Sequence, residues 1–102
     1  MANHDEKAIE AEIQAKGLNA PRLKPADIDA CIREINFYRF PETTLTVCAL
    51  TLRNGFHVVG ESASASPENF DADIGKNIAF DNARSKIWQL EGYALRSKLA
   101  AA

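Results

Sequence analysis

The feature that most constrains this chain is an Asn-Gly pair, Asn54-Gly55, between two runs of β-branched and apolar residues. TTLTVCALTL (43–52) precedes the pair and FHVVGESA (56–63) follows it. Two-residue type I′ hairpin turns favour Asn-Gly, because both central residues need a positive φ. The sequence therefore predicts an antiparallel hairpin in which Arg53 lies opposite Phe56 and every later pair is fixed in register.

A two-residue turn also sorts the side chains of the hairpin onto two faces. One face is predicted to carry Leu45, Val47, Ala49, Phe56 and Val58. The other is predicted to carry Cys48, Leu50, Leu52 and Val59, with His57 and Glu61 among them. Neither face is polar, so we expect one to receive a helix of the same chain and the other to meet a second chain. Glu61, at the far end of the hairpin, is interpreted as a rim residue and not as a catalyst.

Helical patterns flank the predicted sheet on both sides. A thin apolar stripe predicts an N-terminal helix over 5–16, followed by a proline-containing linker at 19–25 and a short amphipathic helix over 25–35. INFYRFP (35–41) is aromatic-rich and ends in proline, which is typical of an edge strand. We therefore expect three antiparallel strands, with helices before and after them.

Beyond Ser66 the apolar residues recur at helical spacing. This pattern predicts a long helix to about residue 88 and a second helical piece after a kink near 89–92. Gly75 and Gly92 interrupt the pattern, and either could mark a close backbone approach. The prediction is one α+β domain over 1–102, with an N-terminal helix and linker (1–24), a short helix and sheet (25–63) and a C-terminal helical pair (66–99).

Composition excludes several classes of function. With 102 residues and a formal net charge of −2, the chain shows no basic surface for duplex nucleic acid and no polybasic membrane patch. Cys31 and Cys48 have no metal-type spacing, so we expect buried, reduced thiols. No signal sequence or membrane-length apolar run is present, which predicts a cytoplasmic protein.

No enzyme signature appears in the sequence, and we expect neither catalysis nor a cofactor or metal. His57 and Glu61 share a strand but are too far apart to form an acid–base pair. The acids at the start of the long helix are interpreted as partners of its dipole.

NIAFDNARSKIW (77–88) mixes amide, acidic and basic residues around an aromatic ring. It is either a solvated face of the helix or the wall of a site for a nucleotide-like ligand. In such a site the arginine would pair with a phosphate and the aromatic ring would stack on a base. The candidate ligand-binding residues are Phe56, Glu61, Phe70, Asn77, Phe80, Asn82, Arg84 and Arg96.

Three motifs carry a resemblance to a known family: TVCALTLRNGF, VVGESASASPENFDADIG and the ending NARSKIWQLEGYALR. Together with the leader KGLNAPRLKPADIDACI, they resemble the phage gene 49/66 family of small tailed-phage proteins. The resemblance covers most of the chain. This chain has Gln89 where members often have proline, and Ser64 where many have cysteine.

The strand, hairpin and helix pattern is also similar to the phage Thoeris anti-defence sponge. That resemblance implies a non-enzymatic protein, assembled as a homodimer or hexamer, that sequesters a cyclic nucleotide or cyclic ADP-ribose immune signal in the host bacterial cytoplasm. It implies pockets between protomers, with an aromatic ring on adenine and Arg or Asn on phosphate and ribose. The alternative is a structural or interaction protein that binds a host or virion protein without a small ligand.

Overall fold

The structure is a computed structural model that describes residues 4–101. Its helices are α1 (His4–Ala15), α2 (Pro25–Ala30) and α3 (Ala72–Ala101), and a single 3₁₀ turn (Pro67–Asn69) precedes α3. The strands are β1 (Ile32–Arg39), β2 (Thr46–Leu52) and β3 (His57–Ser62), and they form one antiparallel sheet in the order β1-β2-β3. The predicted α+β class, with a three-stranded antiparallel sheet between helices, is confirmed.

The hairpin between β2 and β3 has a three-residue loop, so the predicted two-residue turn is wrong. Leu52 pairs with Phe56: its N–H donates to the Phe56 carbonyl over 2.8 Å, and its own carbonyl accepts from Gly55 N–H over 2.9 Å. A type I′ turn needs two residues with positive φ, but here only Gly55 has one, at 89°. The Asn54 side chain instead accepts the Phe56 N–H over 3.0 Å, which favours the longer loop.

This single extra residue reverses the faces of β3. Leu50 lies opposite Val58, and Cys48 lies opposite Gly60, whereas the two-residue turn predicted Val59 and Glu61 at those positions. The face toward α3 carries the buried residues Cys48, Leu50, Leu52, Val58 and Gly60. The opposite face carries Val47, Ala49, His57, Val59 and Glu61. A one-residue slip has this effect because side chains alternate along a strand.

Helix α3 runs without interruption through residues 89–92, so the predicted C-terminal helical pair is one helix of 30 residues. It packs across β2 and β3 and buries Ala79, Phe80, Ala83 and Ile87 against the sheet. The helix does not contact the sheet through all of the apolar residues that recur at helical spacing, because Ile74 and Ile78 are exposed. Ile28 of α2 completes the core.

The closest approach between helix and sheet lies at Gly60. A Cβ atom at this position would stand 2.8 Å from Ala83 Cα and closer still to the Ala83 nitrogen and the Ala79 carbonyl oxygen. All three neighbours are backbone atoms of α3, so only a glycine allows the helix to cross β3 at this distance. Of the two glycines singled out in the sequence, Gly75 is near Thr46 Oγ1, whereas Gly92 has nothing within 4 Å.

We expect Gly60→Ala to lower the free energy of unfolding by about 2 kcal/mol or more, because an added methyl group must push the α3 backbone off the sheet. Gly92→Ala is the matched control, and it should raise stability by about 0.5–1 kcal/mol because it sits in open helix. Urea unfolding followed by fluorescence of Trp88, the one tryptophan, measures both. Equal stabilities for Gly60→Ala and the wild type would contradict this account of the packing.

Candidate functional site

A cleft of about 580 Å³ opens where the hairpin loop meets α2 and the C-terminal half of α3. Its volume lies in the range of small-molecule sites in proteins. Three elements supply its walls: the end of α2, the loop between β2 and β3, and one face of α3. The lining residues are Asp27, Ala30, Cys31, Leu52, Arg53, Asn54, Phe56, Leu90, Glu91 and Ala94.

Backbone and side-chain contacts of Arg53 fix the hairpin loop against α2. The Arg53 N–H donates to the Cys31 carbonyl over 2.9 Å, and its Nε donates to the Ala30 carbonyl. The guanidinium is thereby held at the wall of the cleft. Beside it the Phe56 ring is 56% exposed, although it belongs to the most apolar class of side chain. The loop therefore presents a cation and a free aromatic ring to the same space.

The same cleft also contains a thiol paired with a carboxylate. Cys31 Sγ donates to Glu91 Oε1 over 2.8 Å and also approaches the Asp27 carbonyl oxygen at 3.3 Å. Burial, reinforced by the Glu91 carboxylate, raises the pKa of Cys31 to about 11. Burial likewise raises the pKa of Cys48, and both residues are free cysteines. The Cys31 thiol is therefore neutral near pH 7 and is a poor nucleophile.

A second cavity, of about 410 Å³, lies at the other end of the sheet and contains three of the predicted ligand residues, Glu61, Phe70 and Asn82. Two of the three already have partners within the chain. Asn82 Nδ2 donates to the Glu61 carbonyl over 2.8 Å, and the Arg39 guanidinium lies 5.1 Å from the centre of the Phe70 ring. This cavity is the weaker candidate site because it is smaller and because the residues that line it include no lysine or arginine for an anionic group.

Arg84, predicted to face a ligand, lies in the core and is 3% exposed. Its Nε donates to Asp29 Oδ1 over 2.8 Å, Nη1 pairs with Glu6, and Nη2 donates to the Pro25 carbonyl over 3.3 Å. Trp88 Nε1 donates to the same Glu6 carboxylate over 2.9 Å. The guanidinium therefore joins α1 and α2 to α3 and has no donor directed at solvent.

The other predicted residues do not converge on one place. Phe80 is a core residue, whereas Asn77 and Arg96 are exposed on α3 and line neither of the two cavities. Asp81, which helical spacing placed on the face of Arg84, is half-buried, and burial raises its pKa. Of the eight predicted residues, Phe56 alone lines the larger cleft.

Sequence comparison assigns the chain to a family. The family model of the phage protein (N4 Gp49/phage Sf6 gene 66) family matches residues 23–99. The chain belongs to this family. No curated protein and no solved structure matches it. The matched region holds α2, the sheet, α3 as far as residue 99 and every residue that lines the larger cleft, while α1 precedes it.

Within residues 4–101, no helix is long and apolar enough to cross a membrane. In the same part of the chain, no group of three or more His, Cys, Asp and Glu side chains is placed to hold a metal ion.

Sequence reasoning missed most of the cleft of this family member. The sequence patterns place Arg53 in the strand opposite Phe56 and Asn54 in the turn, predict a buried, reduced thiol for Cys31, and assign no role to Asp27 or Glu91. Arg53 could have been recognised as a candidate from the sequence, because a hairpin loop with both a cation and an aromatic residue beside it is an unusual combination. The pairing of Cys31 with Glu91 was not, since 60 residues separate them.

Replacing Arg84 by alanine should lower the free energy of unfolding by about 2 kcal/mol or more, because it strands the Glu6 and Asp29 carboxylates. The value falls below that of a fully buried pair, since Asp29 is 57% exposed. Arg96→Ala, at an exposed position of the same helix, is the control and should change stability by less than about 0.5 kcal/mol. Thermal unfolding measures both, and similar losses for the two variants would contradict the structural role of Arg84.

The pKa of Cys31 gives a second test. Glu91→Gln removes the negative charge beside the thiol, so the pKa should fall from about 11 toward the ordinary value of 9.0. The measurement is the rate of iodoacetamide alkylation of Cys31 against pH, resolved by peptide mass spectrometry. Glu61→Gln serves as the control with an unchanged profile. A wild-type profile that already rises near pH 9 would show that the carboxylate and burial do not control this thiol.

Proposed function

We propose that this phage protein is a non-enzymatic, homo-oligomeric binding protein that sequesters a cyclic nucleotide or cyclic ADP-ribose immune signal. It would act in the host bacterial cytoplasm and block anti-phage defence of the Thoeris or CBASS type. The observation that carries the proposal is the side-chain set of the larger cleft, which combines an exposed ring, a guanidinium and two carboxylates.

Each group in this set has a matching group on a nucleotide. The Phe56 ring offers a stacking surface for a base, since every base has a π face. The Arg53 guanidinium is a phosphate ligand of the kind that forms paired hydrogen bonds. The carboxylates of Asp27 and Glu91 accept hydrogen bonds and can take the hydroxyl groups of ribose. Base, phosphate and sugar are thus each provided for within one cleft.

The charge balance of the cleft favours a site completed by a second copy. Two carboxylates and one guanidinium face the space, and a cyclic nucleotide brings further negative charge. An uncompensated charge of this kind costs free energy in a partly desolvated site. An additional cation is therefore required, and in a homo-oligomer it comes from a neighbouring protomer.

The cleft also favours binding over turnover. Its thiol has a pKa of about 11 and is neutral near pH 7, so it is not prepared for nucleophilic attack. The Asp27 carboxylate is engaged by the Lys24 N–H over 2.9 Å, and Glu91 is engaged by Cys31. Groups fixed in this way suit recognition of a ligand that is held and released unchanged.

Isothermal titration calorimetry with cyclic di-AMP and with cyclic ADP-ribose tests the proposal directly. We expect binding of at least one of these ligands, and a loss of about tenfold or more in affinity for Phe56→Ala and for Arg53→Ala. Arg96→Ala is the matched control outside the cleft and should bind as the wild type does. Absence of binding to both ligands would overturn the function, and a loss confined to Arg96→Ala would overturn the site.

The second candidate function is binding of a host or virion protein. It is favoured by the sheet face opposite α3, where Tyr38 and Val59 are exposed beside half-buried Val47. Exposed apolar side chains that lie together on one face are typical of protein interaction sites. Native mass spectrometry of the protein purified from infected cells separates the two functions: a bound nucleotide supports sequestration, and a stoichiometric host or virion protein supports this alternative.

A further inference from the structure

The two edges of the sheet differ in how their backbone groups are satisfied. At the β3 edge, side chains of α3 reach over the strand: Lys86 Nζ donates to the Val59 carbonyl, and Asn82 Nδ2 donates to the Glu61 carbonyl. Covering an edge in this way prevents another strand from pairing with it. Two outward carbonyl groups of the β3 edge are therefore covered by side chains of α3.

The β1 edge has no comparable cover. Phe40 N–H donates to the Leu45 carbonyl, and Tyr38 and Asn36 follow in register at every second residue, so their backbone groups face β2. The backbone N–H and C=O groups of Ile35, Phe37 and Arg39 must then point away from the sheet. Within residues 4–101, no hydrogen bond to these outward groups is present.

Two side chains of the same strand, Ile35 and Phe37, are apolar and uncovered. Ile35 and Phe37 lie opposite Leu50 and Cys48 and therefore project on the side of α3. They remain 48% and 39% exposed, because α3 crosses β2 and β3 and does not extend over β1. Lys76 of α3 approaches the Phe37 ring at 5.7 Å but leaves much of it exposed. Both the backbone edge and its apolar side chains are thus available to a partner strand.

We propose that β1 pairs with β1 of a second copy in antiparallel orientation, about a two-fold axis through Asn36. This interface rests on the homo-oligomer of the proposed function and specifies its surface. It joins the two three-stranded sheets into one continuous sheet, with both α3 helices on the same side. The outward backbone groups of Ile35 and Phe37 in each copy then form ladder hydrogen bonds with the other.

The sequence of β1 is self-complementary in this register. Ile35 lies opposite Phe37 at two symmetry-related positions, so the uncovered apolar side chains of each copy bury those of the other. On the opposite face Glu34 lies opposite Tyr38, and Asn36 lies opposite its own copy. The register of β1 shifts between Ile32 and Glu34, and Arg33 has no partner on β2, which limits the regular paired segment to residues 34–38. Such a match is expected of a two-fold interface, in which one surface must fit itself, and this is why a second copy suits the edge better than an unrelated peptide.

The first test removes two symmetry-related intermolecular hydrogen bonds, together with the Phe37 ring of each copy, and spares the fold. Phe37→Pro deletes an N–H that points away from β2, and proline is tolerated at such edge positions. Sedimentation velocity should give the wild type twice the monomer mass of 11.2 kDa and should give Phe37→Pro a monomer, or at least about a tenfold weaker dimer. Val59→Pro is the matched control, since it deletes an outward N–H at the β3 edge and should leave the dimer intact.

The second test fixes the register and does not depend on the stability of the proline variant. In the proposed dimer the two Asn36 residues form a pair without ladder hydrogen bonds, in which Cα atoms lie about 4.5 Å apart. That distance permits a disulfide bond. Asn36→Cys should therefore form a covalent dimer under mild oxidation, whereas the wild type, with its two native thiols, and Val59→Cys should not.

Either of two results would overturn the inference: a monomeric wild type, or cross-linking through Val59→Cys and not through Asn36→Cys. The outcome is separable from that of the proposed function. A β1-linked dimer that binds no nucleotide removes the function alone, and a nucleotide-binding monomer removes the interface alone.

Discussion

The approach of α3 to Gly60 determines where the other elements lie. Because Gly60 carries no side chain and Ala79 and Ala83 carry small ones, the helix backbone rests directly on β3. The helix is thereby committed to β2 and β3, and it buries Cys48, Leu50 and Val58 beneath it. Two consequences follow: β1 is left without a cover, and the C-terminal half of α3 extends past the sheet beside the hairpin loop. The free edge and the larger cleft are products of the same contact.

A second constraint is the Arg84 cluster, which attaches the N-terminal helices to this core. Helix α1 has few apolar residues, and it is held by Glu6 on Arg84 and Trp88 and by Glu10 on Arg22. Hydrogen bonds from Arg22, joined by one from Gln14, lower the pKa of Glu10 to about 2. The stability that the Glu10–Arg22 pair contributes is therefore fully present above the ordinary carboxylate pKa, and it is lost as the pH falls through about 2. The Glu6–Arg84 pair is buried, whereas the Glu10–Arg22 pair is only half-buried. Removing one partner should therefore cost more stability at Arg84 than at Arg22.

Local patterns in the sequence were sufficient for the class of fold and the order of its elements. β-branched runs around Asn54-Gly55 and the helical spacing after Ser66 are strong short-range signals. These local patterns could not predict the register of the hairpin, because the register depends on whether one or two loop residues adopt a positive φ. Here only Gly55 does, and the Asn54 side chain stabilises the longer loop by accepting a hydrogen bond from the Phe56 N–H. The continuity of α3 through Gly92 was likewise not evident, because a single glycine lowers helix stability by only about 1 kcal/mol and strong helix formers stand on both sides of it.

The candidate site shows the same division between local and distant information. Phe56 is the one predicted ligand residue that lines the larger cleft, although the sequence placed it in β3 on an apolar face and not in the loop. Arg84 was misread, since a mid-helix arginine has the same sequence context whether it faces solvent or two carboxylates more than 50 residues away. Glu91 and Cys31 were missed for the same reason. Residues whose role depends on distant partners are those for which a single sequence is least informative.

The proposed β1–β1 interface and the proposed ligand site lie close together at the start of β1. In the proposed dimer the paired segment ends at Glu34 and Tyr38, so Arg39 of the partner subunit lies beside the irregular start of β1, between Ile32 and Glu34. Ile32 directly follows Cys31, which lines the cleft. The partner would therefore bring a cation toward a site whose own groups carry two carboxylates and one guanidinium. Ligand binding and dimer formation would then strengthen each other, because whatever binds the dimer more tightly than the monomer shifts the equilibrium toward the dimer.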